Sequence, residues 1–225
     1  MDYHFLAKTV LFRGCSPEEI EAMLACLHPV ERTYRRGEVI LHAGDTAVQV
    51  GLVLSGSGSI ESDDVWGNRS ILDQVTAGQL FAETYACLPG EVLMVSVTAA
   101  ENCRVLMLDM NRVLHVCGST CAHHTKLIRN LLSVTAQKNL NLSRRIFHTA
   151  AKSIRGRLLS YLSFCSVQHG SREFDIPFSR QQLADYLGVD RSALSNELSK
   201  MQRDGLIRYE RNHFLLTGQS PEELL

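Results

Sequence analysis

Five side chains near the end of the 225-residue chain share one flank of a short segment, "VDRSALSNELSKMQRDGLI": Arg191, Ser192, Ser195, Asn196 and Ser199. Leu194, Leu198 and Met201 mark the other flank, at the spacing of a helix whose apolar side is buried. Guanidinium, carboxamide and hydroxyl groups in one row suit flat hydrogen-bonding edges. Arginine grips two acceptors at once, as on guanine; asparagine matches the donor and acceptor of adenine; serine bonds either a base or a phosphate. A helix that enters a DNA major groove presents its first two turns to the bases, which is where these residues fall. The alternative is a solvated polar face, the usual fate of such residues.

The elements that must hold this row are legible around it. Ser179 stands at an N-cap with Gln182 at the capping-box spacing, and Leu183, Ala184 and Leu187 form the buried side of a first helix. Gly188 follows where a helix end needs a left-handed backbone, Val189 fills the corner, and Asp190 caps the second helix. Ser179, Gln181 and the helix N-terminus would grip phosphates, fixing register without reading sequence. Downstream, "LIRYERNHFLL" predicts two short strands around Arg211 and Asn212, a β wing. Upstream, "SIRGRLLSYLSFCS" predicts a helix and "HGSREFDIPF" a turn and short strand.

The rest of the chain has a different texture. "SPEEIEAMLACLH" at 16–28 predicts a capped helix. From about residue 30 to 109, runs such as "EVIL", "GLVLS", "SILDQV", "LMVSVTA" and "RVLML" alternate with glycines, the pattern of an antiparallel β sandwich or barrel. From 119 to 148 an apolar stripe of Leu127, Ile128, Leu131, Leu132, Val134, Leu142 and Ile146, broken by Gln137, Lys138 and Asn139, predicts one long helix. Its stripe is wider than its own β domain needs, so a partner helix is expected. A polar break at His148–Lys152 is taken as the hinge. The class is therefore α+β, with boundaries at 1–118, 119–148 and 149–225.

Charge follows the same division. Residues 1–125 carry 8 Lys/Arg and 15 Asp/Glu, whereas residues 126–225 carry 15 and 9. Such segregation fits a second half that meets a polyanion, or chance unevenness between two domains. No apolar run approaches the roughly 20 residues of a membrane helix, and the N-terminus lacks a secretory pattern. Seven cysteines without framework spacing fit a reducing compartment, so a cytoplasmic location is expected. No nucleophile–base–orienter set or phosphate-cradling glycine loop stands at a recognisable spacing, which argues against an enzyme.

A glycine-punctuated roll ("RRGEVILHAGDTAVQVGLVLSGSGSI", then "GQLFAE" at 78–83), a long helix, and a helix-turn-helix containing "GVDRSALSNELSKMQRDGLI" together resemble the Crp/Fnr family of bacterial transcription regulators, over essentially the whole chain. The resemblance implies an N-terminal β-roll of the cyclic-nucleotide-binding, jelly-roll type, a dimerisation helix and a C-terminal winged helix-turn-helix. It implies a homodimer on a pseudo-palindromic double-stranded DNA operator, with half-sites about 34 Å apart, an effector, and contact with RNA polymerase if the protein activates. Arg191, Ser192 and Asn196 take the family's base-reading places, with Ser195 beside them; Ser179 and Gln181 match its phosphate contacts. Asn196 departs from the usual arginine, which shifts preference away from guanine at that step.

In the family's cyclic-nucleotide binders a Gly-Glu pair is followed about ten residues later by Arg-Ser, which holds the phosphate. Here Ala82 and Glu83 fill the first pair, and Leu93 and Met94 the second. A phosphate would be buried there without its cationic fork, so cyclic AMP is not expected. A neutral or apolar effector would meet Glu83, Thr84, Leu93, Met94 and Val95, with Lys138 or Leu142 closing the cavity; Glu83 alternatively caps roll amides. No resident cofactor is assigned. Cys15 and Cys26 make a weak iron–sulfur set. Cys117, Cys121 and His124 in "HVCGSTCAHH" fall within about 60° on a helix, as a zinc or redox trio or as mere packing.

Overall fold

A computed structural model of the chain describes residues 1–64, 66, 69–114 and 122–217. Its residues form two compact units, Met1–Gln137 and Lys138–Leu225, each with its own core.

The first unit opens with helices α1 (Tyr3–Leu6) and α2 (Pro17–Leu27). The capping box expected for α2 is present: Ser16 accepts from the Glu19 amide, and the Glu19 carboxylate accepts from the Ser16 amide. The strands are β1 (Val30–Tyr34), β2 (Val39–Leu41), β3 (Gln49–Ser55), β4 (Ser57–Asp63), β5 (Arg69–Thr76), β6 (Leu80–Phe81), β7 (Ser96–Ala99) and β8 (Cys103–Asp109). Helix α3 (Glu83–Ala86) interrupts them, and α4 (Met110–Leu114) follows. They pair antiparallel in two four-stranded sheets, ordered β1-β8-β3-β6 and β2-β7-β4-β5. This is the expected roll.

Strand β8 shows why the roll is stable. Successive side chains point to opposite faces of a strand. Val105 and Met107 join the core with Val53, Val75, Phe81, Val97 and Ala99, while Leu106 and Leu108 join a second core under the helices. Glycine is required at 51, where the Phe81 ring lies so close that an added Cβ would fall 2.1 Å from its Cζ.

Helix α5 (Ala122–Thr149) runs 28 residues, close to the expected span; residues 115–121 lie outside the described set. Its first turns are bound to the first unit. Leu127 and Leu131 enter the helix-covered core, Lys126 Nζ lies 2.8 Å from both Glu19 carboxylate oxygens, and Asn130 Nδ2 donates to the carbonyls of Leu11 and Arg13. The rest of the apolar stripe divides away from that core: Leu132, Leu142 and Ile146 are exposed by 61–69%.

The second unit holds the end of α5, then α6 (Ile154–His169), β9 (Glu173–Asp175), α7 (Arg180–Leu187), α8 (Arg191–Arg203), β10 (Ile207–Glu210) and β11 (His213–Leu216). The three strands form one antiparallel sheet, β10-β11-β9. Leu158, Leu162, Leu183, Leu194, Leu198 and Phe214 are among its fully buried residues. The units divide between Gln137 and Lys138, within α5. At the 148–152 break His148 is buried beside Ser160, with the Tyr161, Phe164 and Tyr186 rings around it.

Candidate nucleic-acid interface

The helix pair is held by its caps. Ser179 accepts from the Gln182 amide while Gln182 Oε1 accepts from the Ser179 amide at 2.8 Å. Gly188 adopts φ +63°, ψ 46°, and its amide donates to the last carbonyls of α7. Asp190 then opens α8 by accepting from the Ala193 amide at 2.9 Å. Leu194, Leu198 and Met201 face inward as their spacing requires.

Guanidinium groups fasten this pair to its neighbours. Arg155, at the start of α6, bonds Glu197 at 2.6 Å and Asp204 at 2.7 Å, and these two carboxylates hold it more firmly protonated. Arg157 donates to Ala151, Leu187 and Gly188 carbonyls. Arg145, near the end of α5, donates to the carbonyls of Asp185 and Tyr186. These contacts satisfy acceptors that the end of α7 leaves open. Arg180 lies over the rings of Tyr209 and Phe214 and donates to the Arg211 carbonyl, so it anchors the wing; burial lowers its pKa.

Of the expected base-reading residues, Arg191, Ser192 and Asn196 are exposed on one face of α8, and Ser195 is half-buried beside them. Among the described residues neither Arg191 nor Asn196 has a side-chain hydrogen-bond partner. The three serines do. Ser192 donates to the Asp190 carboxylate, Ser195 to the Arg191 carbonyl at 2.9 Å, and Ser199 to the Ser195 carbonyl at 3.0 Å. The Ser192 hydroxyl is the main reason, ahead of the Ala193 amide, that the Asp190 carboxyl sits below its ordinary pKa. Ser179 and Gln181 are exposed at the start of α7, with Gln181 also bonded to Asp185. Sequence reasoning left out Lys200, Gln202 and Arg203, exposed on the later turns of α8, and Arg208 on the wing. The excess of basic residues after 125 was their signal.

In the roll, Glu83 is buried at the start of α3 and Leu93 is buried, with Val95 half-buried. Thr84 is exposed and Met94 is 79% exposed, so those two are not brought into an enclosed group with Glu83. Ala82 precedes Glu83 with φ +61°, a left-handed backbone that explains why glycine serves there in the family pattern. Lys138 is exposed on α5 in the second unit. Cys117 and Cys121 lie outside the described residues, and His124 is buried on α5. Cys15 is buried, which raises its thiol pKa, and Cys26 is exposed. Among the described residues no three His, Cys, Asp or Glu side chains are grouped to hold a metal, and no helix is long and apolar enough to cross a membrane.

Residues 31–120 match the cyclic nucleotide-binding domain family and residues 156–224 the Crp-like helix-turn-helix domain family. The chain is 25% identical over 217 residues to the transcriptional activator protein FnrL of Cereibacter sphaeroides, covering 90% of this chain and 82% of that one. It is 26% identical to the cyclic AMP receptor protein of Thermus thermophilus, covering 88% of each. In fold it resembles the Thermus thermophilus catabolite activator protein (TM-score 0.52, 23% identity, 92% and 93% of the two chains). It also resembles the c-di-GMP responsive global regulator CLP of Xanthomonas campestris (TM-score 0.54, 21% identity, 90% and 99%). A roll sensor domain and a winged helix-turn-helix on one chain, each matched independently, place it: the chain belongs to the Crp/Fnr family of DNA-binding transcription regulators, which are not enzymes.

Proposed function

We propose that the chain works as a cytoplasmic homodimer that reads a pseudo-palindromic operator, under control of an effector other than cyclic AMP. The observation that carries sequence reading is the face of α8: Arg191 and Asn196 are exposed without protein partners, on a helix fixed at its N-terminus by Asp190 and along its length by Arg155. Side chains held this way reach base edges without first breaking internal bonds. Ser179 and Gln181 at the start of α7 grip phosphate. Self-association is supported by the exposed apolar flank of α5, which one chain leaves uncovered. Two-fold symmetry then presents two copies of α8 to successive major grooves. The 149–225 segment serves as the DNA-binding part and 1–118 as the sensor, with 119–148 as the dimerisation helix between them.

For the effector, the carrying observation is the pair Leu93 and Met94, one buried and one exposed, neither able to neutralise a phosphate. Cyclic AMP, named for the Thermus relative, is therefore not the effector on this reading. A neutral ligand beside Glu83, Leu93 and Val95 fits better. It would act by favouring helix placements that match the operator spacing. A bent operator would bring RNA polymerase into contact, as an activator requires.

Selection of bound sequences from a random DNA pool, with and without cyclic AMP, tests the whole reading. The expected result is one enriched inverted repeat with half-sites one helical turn apart, unchanged by the nucleotide. A pool that stays random, or enrichment only with cyclic AMP, refutes it.

A further inference from the structure

We infer that Asp190 turns Ser192 into an acceptor-only reader, so that Ser192 selects an amino-bearing base, cytosine or adenine, over a keto-bearing one at its position in the half-site. This deepens the proposed DNA reading and rests on it.

The argument begins with proton accounting. A serine hydroxyl has one proton and two lone-pair sites, and it rotates to suit its surroundings. Left alone on a helix face, it accepts from a base amino group or donates to a base carbonyl with little preference. Ser192 is not left alone. Its oxygen is hydrogen-bonded to Asp190 Oδ1, and an ionised carboxylate has no proton to give. The hydroxyl must therefore be the donor. Its one proton points back along the chain, and lone pairs remain for the groove.

The lock is a strong one. Hydrogen bonds to an ionised group are roughly twice as strong as neutral ones. Asp190 is itself immobilised by the Ala193 amide at 2.9 Å, as the N-cap of α8. Its ionised form is also favoured by the positive end of the helix dipole. The two neighbouring serines show the same disposition by a different route. Ser195 and Ser199 donate to main-chain carbonyls of Arg191 and Ser195, groups that cannot donate in return. The row thus presents donors from the Arg191 guanidinium, both kinds of group from the Asn196 carboxamide, and acceptors from the serines.

In the major groove cytosine N4 and adenine N6 are donors, whereas guanine O6 and thymine O4 are acceptors. An acceptor-only Ser192 bonds the first pair and faces a lone-pair clash with the second. Asp190 never touches the base in this scheme; it is a positioning residue.

The test is pool selection with the wild type and three variants, each first shown to keep the wild-type thermal transition. In the wild type, one column of the half-site favours cytosine or adenine over guanine or thymine by about fivefold, the worth of one net hydrogen bond. S192A flattens that column and leaves the others. S192E, which also only accepts, keeps the same bases. D190G, which costs an N-cap only a few tenths of a kcal/mol, removes the oxygen that takes the Ser192 proton and frees the hydroxyl to donate; the column flattens while overall affinity rises through loss of a negative charge. The inference is overturned if the S192A-sensitive column favours guanine or thymine, if S192A alters no column, or if D190G leaves that column's preference intact. Failure of DNA reading as a whole gives a different signature, in which no variant and not the wild type enriches any sequence.

Discussion

Nη1 of Arg157 donates to the carbonyl oxygen of Gly188 at 3.1 Å and to that of Leu187 at 2.9 Å, while its Nε bonds the Ala151 carbonyl. One α6 side chain therefore joins the turn between α7 and α8 to the segment that follows α5. Replacing it removes charge-assisted bonds and leaves three carbonyls to solvent. Arg157→Ala should destabilise the DNA-binding unit by about 2 kcal/mol. Urea unfolding followed by far-UV circular dichroism measures this. Arg157→Lys should recover only part of the loss, because an ammonium cannot span the same set of acceptors.

Arg191 and Lys200 are both exposed on α8, yet they should behave differently. Arg191→Ala is expected to cost about 1–3 kcal/mol of discrimination at one base pair. Lys200→Ala should weaken all sequences alike and reduce the salt slope of binding by about 1. Titrations of operator and scrambled duplex at several salt concentrations separate the two. Equal weakening on every sequence by Arg191→Ala would exclude it as a base reader.

Much of this site was legible beforehand, and the reasons are local. The capping box at Ser179, the left-handed corner at Gly188 and the N-cap at Asp190 depend on residue type at fixed offsets, so sequence alone reveals them. What Ser192 does with its proton depends on a rotamer, and no spacing rule exposes that. Strands β1 and β4 were not singled out for a related reason. β1 is almost wholly exposed and is a strand because it pairs with β8. β4 buries Ser57, Ser59 and Glu61 in place of apolar residues, with the Glu61 carboxylate bonded by Ser59 and 3.2 Å from Arg69. Its burial is paid for by hydrogen bonds, which hydropathy does not record. On α5 the apolar period was visible, but not that Leu127 and Leu131 serve the roll's core while Ile146 does not.

Ala82 carries a left-handed backbone, φ +61° and ψ 10°, that costs a residue with a Cβ roughly 1–2 kcal/mol. Ala82→Gly should relieve that strain, less the added freedom of glycine in the unfolded chain. A net gain of about 0.5–1 kcal/mol is expected, read as a higher thermal midpoint. A fall in the midpoint would mean that the Ala82 methyl contributes more by packing against the sheet core than its backbone costs.

Two histidines give the second unit opposite pH dependences. His148 is fully buried, and burial, then Arg144, lowers its pKa below 6.5. The unfolded chain takes up this proton more readily than the folded one, so stability is present above about pH 6.5 and declines as pH falls below it. His213 lies between Glu173 and Asp175, at 3.0 and 3.1 Å, and bonds to those carboxylates raise its pKa. Its contribution is complete below about pH 6.5 and is lost as pH rises through the raised value. His148→Phe should flatten the acid side of a stability–pH curve, and His213→Gln the neutral-to-alkaline side. Denaturant midpoints across pH 5 to 9, a range of ordinary buffers that spans both titrations (about 4 units), distinguish them.

Ile146 tests the self-association that the operator reading requires. Ile146 is 69% exposed, so Ile146→Asp removes little packing within one chain. At a helix–helix seam the same change buries a carboxylate without a partner. Sedimentation of the wild type should give twice the chain mass, and of the variant the single-chain mass. Because folding of an associating protein is linked to its concentration, the wild-type thermal midpoint should rise on concentration and that of the variant should not. Operator affinity should fall by far more than the change at one base pair produces, since one α8 can then occupy only one half-site. A variant that stays dimeric with full affinity would place the seam elsewhere and leave the exposed flank of α5 unexplained.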